Sequence, residues 1–315
     1  MLGACTGSPS TLDAQGPGAA RIANLWWVMF GISVVVIAVV SGLLAAAILR
    51  RRRRQLDPDA EPRWGLRLIL WGGAILPVVV LTAMWVLTLR DLRAISEPIS
   101  RGEVTIEVIG HRWWWEVRYP SLGIVTANDV HIPVGRPVTV RLQTIDVIHS
   151  FWVPQLTGKT DMIPGRTNSM SIQADRSGVY RGQCAEFCGL QHANMAFFVV
   201  ADEPAAFQAW ATREAGPAPA PTDPRARLGL QVFLQQPCVA CHAIRGTDAT
   251  GAIGPDLTHF GSRLSIGAGT VPNERGFLGG WIENSQALKP GNLMPPMRLD
   301  AEDLDGLLAY LESLT

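Results

Sequence analysis

The stretch "GQCAEFCGLQHANM", residues 182–195, decides how the middle of this chain folds. One loop-sized segment contains four side chains that bind soft metals: Cys184, Cys188, His192 and Met195. A blue-copper site combines a cysteine, two histidines and a weakly bound methionine. The loop supplies all of these except one histidine. His149, in "DVIHSFWVP", follows a strand-like run upstream and is the candidate for that histidine.

Cys184 is one cysteine more than a single copper ion needs. A second thiolate in the loop allows two sulfurs to bridge two copper ions, so the stretch predicts a binuclear copper centre. Three alternatives are open: a disulfide, which an oxidising compartment permits, a zinc site shared with both histidines, and a copper-delivery motif of the C-x-x-x-C kind. A disulfide would leave the spacing of the histidine and the methionine unexplained.

The sequence on either side of this loop predicts three segments. Residues 101–203 include "EVTIEVIG", "PVTVRLQT" and "NSMSIQA", which alternate apolar and polar residues and predict an antiparallel β-sandwich or barrel. Residues 204–223 contain "GPAPAPTDP" and read as a Pro/Ala linker. Residues 224–315 have helical periodicity and predict an all-α domain.

A second cysteine pair lies in the helical segment, in "CVACH". Cys238, Cys241 and His242 match the attachment signature of c-type haem, in which two thiols bind the macrocycle and the histidine binds iron. A redox dithiol and half of a zinc site are the alternatives. A zinc site needs two further ligands, and His259 is the one spare histidine downstream. The sixth iron ligand is expected in "KPGNLMPPM", at Met294 or Met297.

The first third of the chain predicts a membrane anchor. Two apolar runs, 25–49 and 68–89, each exceed the roughly 20 residues that cross a bilayer. They predict a two-helix transmembrane hairpin over residues 24–90, with buried core helices as the alternative. Arg50–Arg54 between the runs place that loop in the cytoplasm, and both termini and the soluble domains on the outer face of a bacterial plasma membrane.

Two further observations concern the chain as a whole. Residues 1–23 form an N-terminal segment whose "MLGAC" resembles the end of a lipoprotein cleavage box, although no apolar region precedes it. Cys5 is therefore a candidate for lipidation, and the alternative is that this cysteine has no such role. The formal net charge is +0, which gives nucleic-acid binding no electrostatic support.

Residues 21 to about 203 resemble subunit II of the haem–copper cytochrome c oxidases. The stretches that carry this resemblance are "GHRWWWEVRYP", "VIHSFWVPQLTGKTDMIPGR" and "GVYRGQCAEFCGLQHANM". The last ninety or so residues resemble class I cytochromes c, in "GPDLTHFGSR" and "PGNLMPP". The resemblance implies a multidomain membrane protein with two transmembrane helices, an all-β cupredoxin-like barrel and an all-α cytochrome c domain.

The resemblance also implies the site residues. The binuclear copper would be bound by the side chains of His149, Cys184, Cys188, His192 and Met195 and by the backbone carbonyl of Glu186. The Glu186 side chain would bind a magnesium ion shared with subunit I. Trp113 would be the residue through which electrons enter, whereas Trp114 and Trp115 would pack in the barrel. Met294 rather than Met297 would bind the haem iron.

The function implied is that of the subunit at which electrons enter a terminal oxidase. Electrons from a cytochrome c-type donor would pass through haem c and the copper pair to haem in subunit I, which reduces dioxygen to water and pumps protons. Subunits I and III would be partners. The copper-bearing subunit of a nitric-oxide reductase and a membrane-anchored copper-delivery protein are rival functions. Residues 66–81 hold no carboxylate, and Glu61 lies too early to be assigned to a proton channel.

Overall fold

The computed structural model describes residues 9–53, 63–96 and 104–315. Residues 21–96 form one compact unit, and the rest of the chain forms a second. Cys5, Arg54 and Glu61 lie outside the described residues, and so does the prediction of lipidation.

The first unit consists of helices whose apolar side chains are exposed. Two helical stretches, Pro17–Arg50 and Gly65–Ile95, are long and apolar enough to cross a membrane. They contain the two predicted spans. The helices are α1 (Pro17–Arg53), α2 (Arg63–Leu70) and α3 (Leu76–Ser96). A π-helical turn, Trp71–Ile75, joins α2 to α3 directly before Pro77, where the missing N–H interrupts the α-helical ladder.

The second unit begins with a β domain of two five-stranded sheets. The strands are β1 (Thr105–His111), β2 (Trp114–Tyr119), β3 (Ile124–Ala127), β4 (Asp129–Pro133), β5 (Val138–Thr144), β6 (His149–Trp152), β7 (Thr160–Met162), β8 (Asn168–Ile172), β9 (Gly178–Cys184) and β10 (Ala196–Asp202). The strand orders of the two sheets are β3-β2-β1-β5-β8 and β4-β10-β9-β6-β7.

The expectation of purely antiparallel sheets is wrong in two places. β1 pairs with β5 in parallel, and β4 pairs with β10 in parallel. Between β1 and β5 the chain crosses to the other sheet to form β4, and such a crossover returns a strand in the same direction. The alternation read from the sequence still holds, because Ile106 and Val108 of β1 are fully buried in the core between the sheets.

The strand order brings the distant histidine to the metal-binding loop. β6 lies next to β9, and β9 lies next to β10. Phe151 of β6 is opposite Cys184 at the end of β9, so His149 at the start of β6 lies beside that cysteine. The loop between β9 and β10 carries the other predicted ligands.

The predicted linker, 204–223, is helical in its first half. Helix α4 (Pro204–Ala215) buries Phe207 and Trp210 against the β domain, and the Trp210 ring stacks on His131 with centroids 4.2 Å apart. The local sequence favours this helix, since Pro204 stands at the first helical position and Ala, Gln, Glu and Arg are good helix formers, and burial of the two aromatic rings adds to its stability. The backbone is non-helical and extended only from 216 to 222.

The helical domain follows. Its helices are α5 (Pro224–Gln235), α6 (Cys238–Cys241), α7 (Arg275–Leu288) and α8 (Ala301–Ser313), with a short ladder of β11 (Ser265–Ile266) and β12 (Val271–Pro272). α5 and α8 cross where Gly229 meets Gly306; a Cβ on Gly229 would lie 1.9 Å from the Gly306 carbonyl oxygen. Asp223 caps α5 and Asp300 caps α8, as helix N-termini favour.

Candidate metal centre

The predicted copper-binding side chains converge at one end of the β domain. The Sγ atoms of Cys184 and Cys188 are 3.8 Å apart. His149 Nδ1 lies 3.9 Å from Cys184 Sγ, and His192 Nδ1 lies 3.6 Å from Cys188 Sγ. Met195 Sδ is 3.8 Å from Cys188 Sγ. Two sulfurs therefore form the middle of the cluster, with one histidine beside each.

Glu186 lies between the two cysteines in the sequence, and its backbone carbonyl and its side-chain carboxylate face different surroundings. Its backbone carbonyl accepts a hydrogen bond from Cys184 Sγ at 3.2 Å, so the carbonyl faces the cluster. Its carboxylate is 44% exposed and lies 3.9 Å from Lys159 Nζ. An exposed carboxylate is accessible to a cation or a partner protein, whereas the carbonyl is not.

The two thiols are separate and buried. Their sulfur–sulfur distance of 3.8 Å is almost twice the roughly 2.05 Å of a disulfide bond, so the disulfide alternative does not describe this structure. The hydrogen bond from Cys188 lowers the pKa of Cys184, and the same contact raises the pKa of Cys188. A metal that replaces the shared proton stabilises both thiolates, and the soft S and N donors suit copper.

Groups behind His149 fix the direction of its ring. Asp146 Oδ1 lies 2.9 Å from His149 Nε2, which leaves Nδ1 directed at the cysteines. Burial raises the pKa of Asp146, but hydrogen bonds from His149 and from the Val147 and Arg112 N–H groups outweigh it and lower that pKa to about 2. A Cβ on Gly110 would lie 2.8 Å from His149 Cδ2, so glycine makes room for the ring.

Trp113 connects the metal-binding loop to the helical domain. Its indole N–H donates to the carbonyl of Cys188 at 3.1 Å. A Cβ on Gly189 would lie 3.3 Å from the indole, and a Cβ on Gly291 would lie 3.6 Å from it. The indole therefore lies between the loop of Cys188 and the segment that leads to Met294. Trp115 is fully buried in the core, as expected.

The CVACH segment places its two thiols and its histidine on and directly after one short helix. Cys238 and Cys241 are free thiols at the two ends of α6. His242 Nδ1 donates to the carbonyl of Pro255 at 2.7 Å, which leaves Nε2 for a metal. Burial lowers the pKa of His242, which favours the neutral, metal-binding form. A Cβ on Gly254 would lie 2.6 Å from His242 Cε1, so the ring rests on a glycine.

The candidate methionines differ in their surroundings. Met294 Sδ accepts a hydrogen bond from the Trp281 indole at 3.1 Å, and the Met294 carbonyl accepts one from Ser285 Oγ at 2.8 Å. Met297 donates its backbone N–H to Ile282 O at 3.1 Å, and both methionines pack on the core. Met294 thus has its sulfur held by a side chain, as suits a ligand that must be kept in one place.

Comparison with known proteins identifies the family. The family model for the periplasmic domain of cytochrome c oxidase subunit II matches residues 121–202, and that for cytochrome c matches residues 226–315. The chain is 37% identical to cytochrome c oxidase subunit 2 of Alkalihalophilus pseudofirmus, over 100% of this chain and 94% of the relative. This chain belongs to the cytochrome c oxidase subunit II family.

Further relatives of this subunit II chain carry the same name. Cytochrome c oxidase subunit 2 of Bacillus sp. (strain PS3) is 32% identical over 78% of this chain and 73% of the relative. The crystal structure of the periplasmic domain of cytochrome oxidase subunit II from Bradyrhizobium japonicum is 30% identical, with a TM-score of 0.36, and covers 37% of this chain and 96% of that one.

Family membership confirms the main expectations from the sequence. The chain is a subunit of a cytochrome c oxidase, with a copper-site domain of the subunit II type and a cytochrome c domain that implies haem. Other oxidase subunits are therefore implied as partners. The membership supports neither rival function, nitric-oxide reduction nor copper delivery.

His259, the spare histidine of the zinc alternative, has its Nδ1 3.4 Å from Glu214 Oε2, so its ring faces a carboxylate of helix α4.

Loss of the carboxylate behind His149 should weaken the copper site of this subunit II chain. We expect Asp146→Ala to lower copper affinity about 10- to 100-fold, because carboxylates that orient a ligating histidine contribute on that scale. Competition with a copper chelator measures the affinity. Asp202→Ala is the matched control, since Asp202 Oδ2 lies 2.7 Å from Nδ1 of His131, a histidine outside the cluster. An equal loss in both variants would contradict the assignment.

A methyl group beneath His242 should impair haem attachment. Gly254→Ala places a Cβ 2.6 Å from His242 Cε1, and such overpacking costs typically about 1–3 kcal/mol. We expect a lower fraction of chains with covalently bound haem, measured by haem staining and the reduced absorption spectrum. Gly276→Ala, where a Cβ meets no atom within 4 Å, should bind haem normally. Normal haem content in Gly254→Ala would contradict the placement of His242.

Proposed function

We propose that this chain is the subunit through which electrons enter a respiratory terminal oxidase. Electrons from a cytochrome c-type donor would pass through its own haem c and a binuclear copper centre to haem in subunit I, where dioxygen is reduced to water and protons are pumped. The observation that carries the proposal is the pair of buried thiols 3.8 Å apart with a histidine beside each.

The bound metals supply reversible one-electron chemistry, and the protein supplies their placement. Four side chains would hold the two copper ions: Cys184, Cys188, His149 and His192. Met195 and the Glu186 carbonyl would supply two further ligands, and both lie within 4 Å of a cysteine sulfur. Asp146 holds the proton on His149 Nε2, so Nδ1 stays available. Burial of both sulfurs excludes water from the site.

The helical domain would hold haem c covalently through Cys238 and Cys241, and His242 and Met294 would bind its iron. The Pro255 carbonyl keeps the proton on His242 Nδ1, and the Trp281 indole holds the Met294 sulfur. Trp113 would be the residue through which electrons reach the copper pair. Its contact with Gly291 on one side and with the Cys188 carbonyl on the other supports that assignment.

The exposed carboxylate of Glu186 would bind a magnesium ion at the boundary with subunit I. A carboxylate is a hard ligand and suits a hard cation. The same residue then touches both centres, because its carbonyl faces the copper pair while its side chain faces the partner. Subunit III would be a further partner of the complex.

We further propose the arrangement in the membrane. Residues 24–90 would cross the bilayer twice, with the Arg-rich segment on the cytoplasmic side. The β domain (101–203), the segment 204–223 and the haem-binding domain (224–315) would lie on the outer face together with both termini. The two exposed apolar helices and the name of the matching family model, which specifies a periplasmic domain, support this orientation.

Purification of the membrane complex through a C-terminal tag on this chain tests the proposal. We expect an oxidase catalytic subunit to copurify, with two copper ions and one covalent haem per copy of this chain and a mixed-valence copper signal in electron paramagnetic resonance. A single, readily exchanged Cu(I) and no catalytic subunit would overturn the proposal.

A further inference from the structure

Lys289 is a buried amine that the proposed electron path does not use, and burial lowers its pKa to about 7. It follows helix α7 directly and is 2% exposed. Its ammonium donates to three backbone carbonyl oxygens: Trp113 at 2.9 Å, Asn194 at 2.8 Å and Gly267 at 2.6 Å. An ammonium has three N–H donors, so every donor is satisfied. Burying an ammonium costs free energy unless it is satisfied in this way.

The three acceptors lie on both sides of a domain boundary. Trp113 and Asn194 belong to the β domain, whereas Gly267 belongs to the helical domain that contains Lys289. We name Lys289 and these three acceptors the Lys289 clamp. Trp113 carries the indole that bonds to Cys188, and Asn194 directly precedes Met195. The clamp therefore contacts the β domain at two points next to the metal cluster.

Other hydrogen bonds across the boundary fix its register. Ala196 N donates to Ala268 O at 2.9 Å, and Leu264 N donates to Asp129 Oδ2 at 2.9 Å. These bonds involve backbone N–H groups, so they hold one orientation of the two domains more strictly than contacts between flexible surface side chains would. A Cβ on Gly269 would lie 2.7 Å from Ala196 Cβ, so the two surfaces approach closely there.

The clamp also places the methionine segment. Gln191 Nε2, one residue before His192, donates to Pro290 O at 2.8 Å. The next residue, Gly291, lies against the Trp113 ring. Lys289 thus starts the segment that runs past Trp113 to Met294, and it bonds to the backbone of the same tryptophan.

We infer that the Lys289 clamp keeps the helical domain docked on the β domain in one orientation, and that Lys289 is a positioning residue for electron transfer between the two metal centres. The docking stands on the contacts alone. Its consequence for electron transfer rests on the proposed function.

Amine labelling of the unmodified chain tests the docking. The sequence contains only two lysines, Lys159 and Lys289, so a lysine-specific acetylating reagent followed by mass spectrometry distinguishes them directly. We expect Lys289 in the native membrane complex to react at least about tenfold more slowly than in the denatured chain, because labelling requires the domains to separate first. Equal rates in the native and denatured chains would overturn the docking.

Flash photoreduction of the haem in the full complex tests the positioning. In Lys289→Met we expect unchanged optical and copper resonance spectra, but transfer from haem to copper several-fold slower, because electron tunnelling slows steeply as the distance between two centres grows. Magnetic relaxation of the copper signal by oxidised haem iron should weaken as well. Arg227→Met, which removes an exposed cation from α5 of the same domain, should change neither.

The outcomes separate the two proposals. Intact spectra with an unchanged transfer rate and unchanged relaxation in Lys289→Met would overturn the positioning assignment. Absence of any haem-to-copper transfer in the unmodified complex would instead overturn the proposed function, and the labelling result would still decide whether the domains are docked.

Discussion

Replacing Cys184 with serine should abolish the mixed-valence copper signal while leaving the haem intact. Cys184 Sγ is the sulfur beside both His149 Nδ1 and the Glu186 carbonyl, and it lies 3.8 Å from Cys188 Sγ. A serine hydroxyl is a hard and weakly acidic ligand that does not replace a bridging thiolate on copper. We expect copper affinity to fall by more than about 100-fold. That value is the upper limit for losing a group that is only hydrogen-bonded to a ligand, and Cys184 would itself be a ligand.

The reciprocal variant controls for general damage. Cys238→Ser removes a thiol of the CVACH segment, in a domain with its own hydrophobic core. It should reduce covalent haem while the mixed-valence signal persists. Paramagnetic resonance and haem staining on the same two preparations measure both effects. A mixed-valence signal that survives Cys184→Ser unchanged would show that the copper pair does not depend on this thiolate.

Replacing Met294 with alanine should lower the midpoint potential of the haem by at least about 0.1 V, part of the roughly 0.8 V that axial ligation spans. A thioether ligand stabilises ferrous iron and raises the potential. The Trp281 N–H lies 3.1 Å from the Met294 sulfur and would hold that sulfur in position. Spectroelectrochemical titration of the full complex measures the potential.

Met297→Ala is the matched control, since it removes the same side chain three residues away. Met297 packs against the hydrophobic core of the helical domain, so its loss should lower stability and leave the potential near that of the unmodified chain. A large fall in potential in Met297→Ala, with little change in Met294→Ala, would mean that Met297, and not Met294, binds the haem iron.

The convergence of the candidate copper ligands could be predicted because most of them are close together in sequence. Four side chains and one carbonyl lie from Cys184 to Met195, and only His149 comes from another strand. The candidate haem attachment residues are likewise contained in "CVACH". Asp146 was missed, although a carboxylate three residues before His149 is visible in the sequence. A search for metal ligands passes over it because Asp146 orients a candidate ligand and is not itself one.

Other features depend on contacts that no local pattern reports. Lys289 bonds to Trp113 across 176 residues of sequence and to Asn194 across 95. The parallel pairs β1–β5 and β4–β10 arise from how the chain crosses between sheets. Helix α4 is a different case, because its own sequence favours it: Pro204 stands at the first helical position, and Ala, Gln, Glu and Arg, all good helix formers, follow.

Gly291 lies against the Trp113 indole, and this close approach has a consequence for the physiology of the whole oxidase. On the proposed electron path, a free cytochrome that reaches the complex would find this side of the indole occupied by the chain's own C-terminal domain. We therefore expect that abundant soluble carriers would not rescue a chain that folds without its haem. Respiration through this enzyme would then depend on the export and attachment machinery that matures c-type cytochromes outside the cell membrane. A genetic defect in that machinery should silence the oxidase even when every oxidase gene is intact.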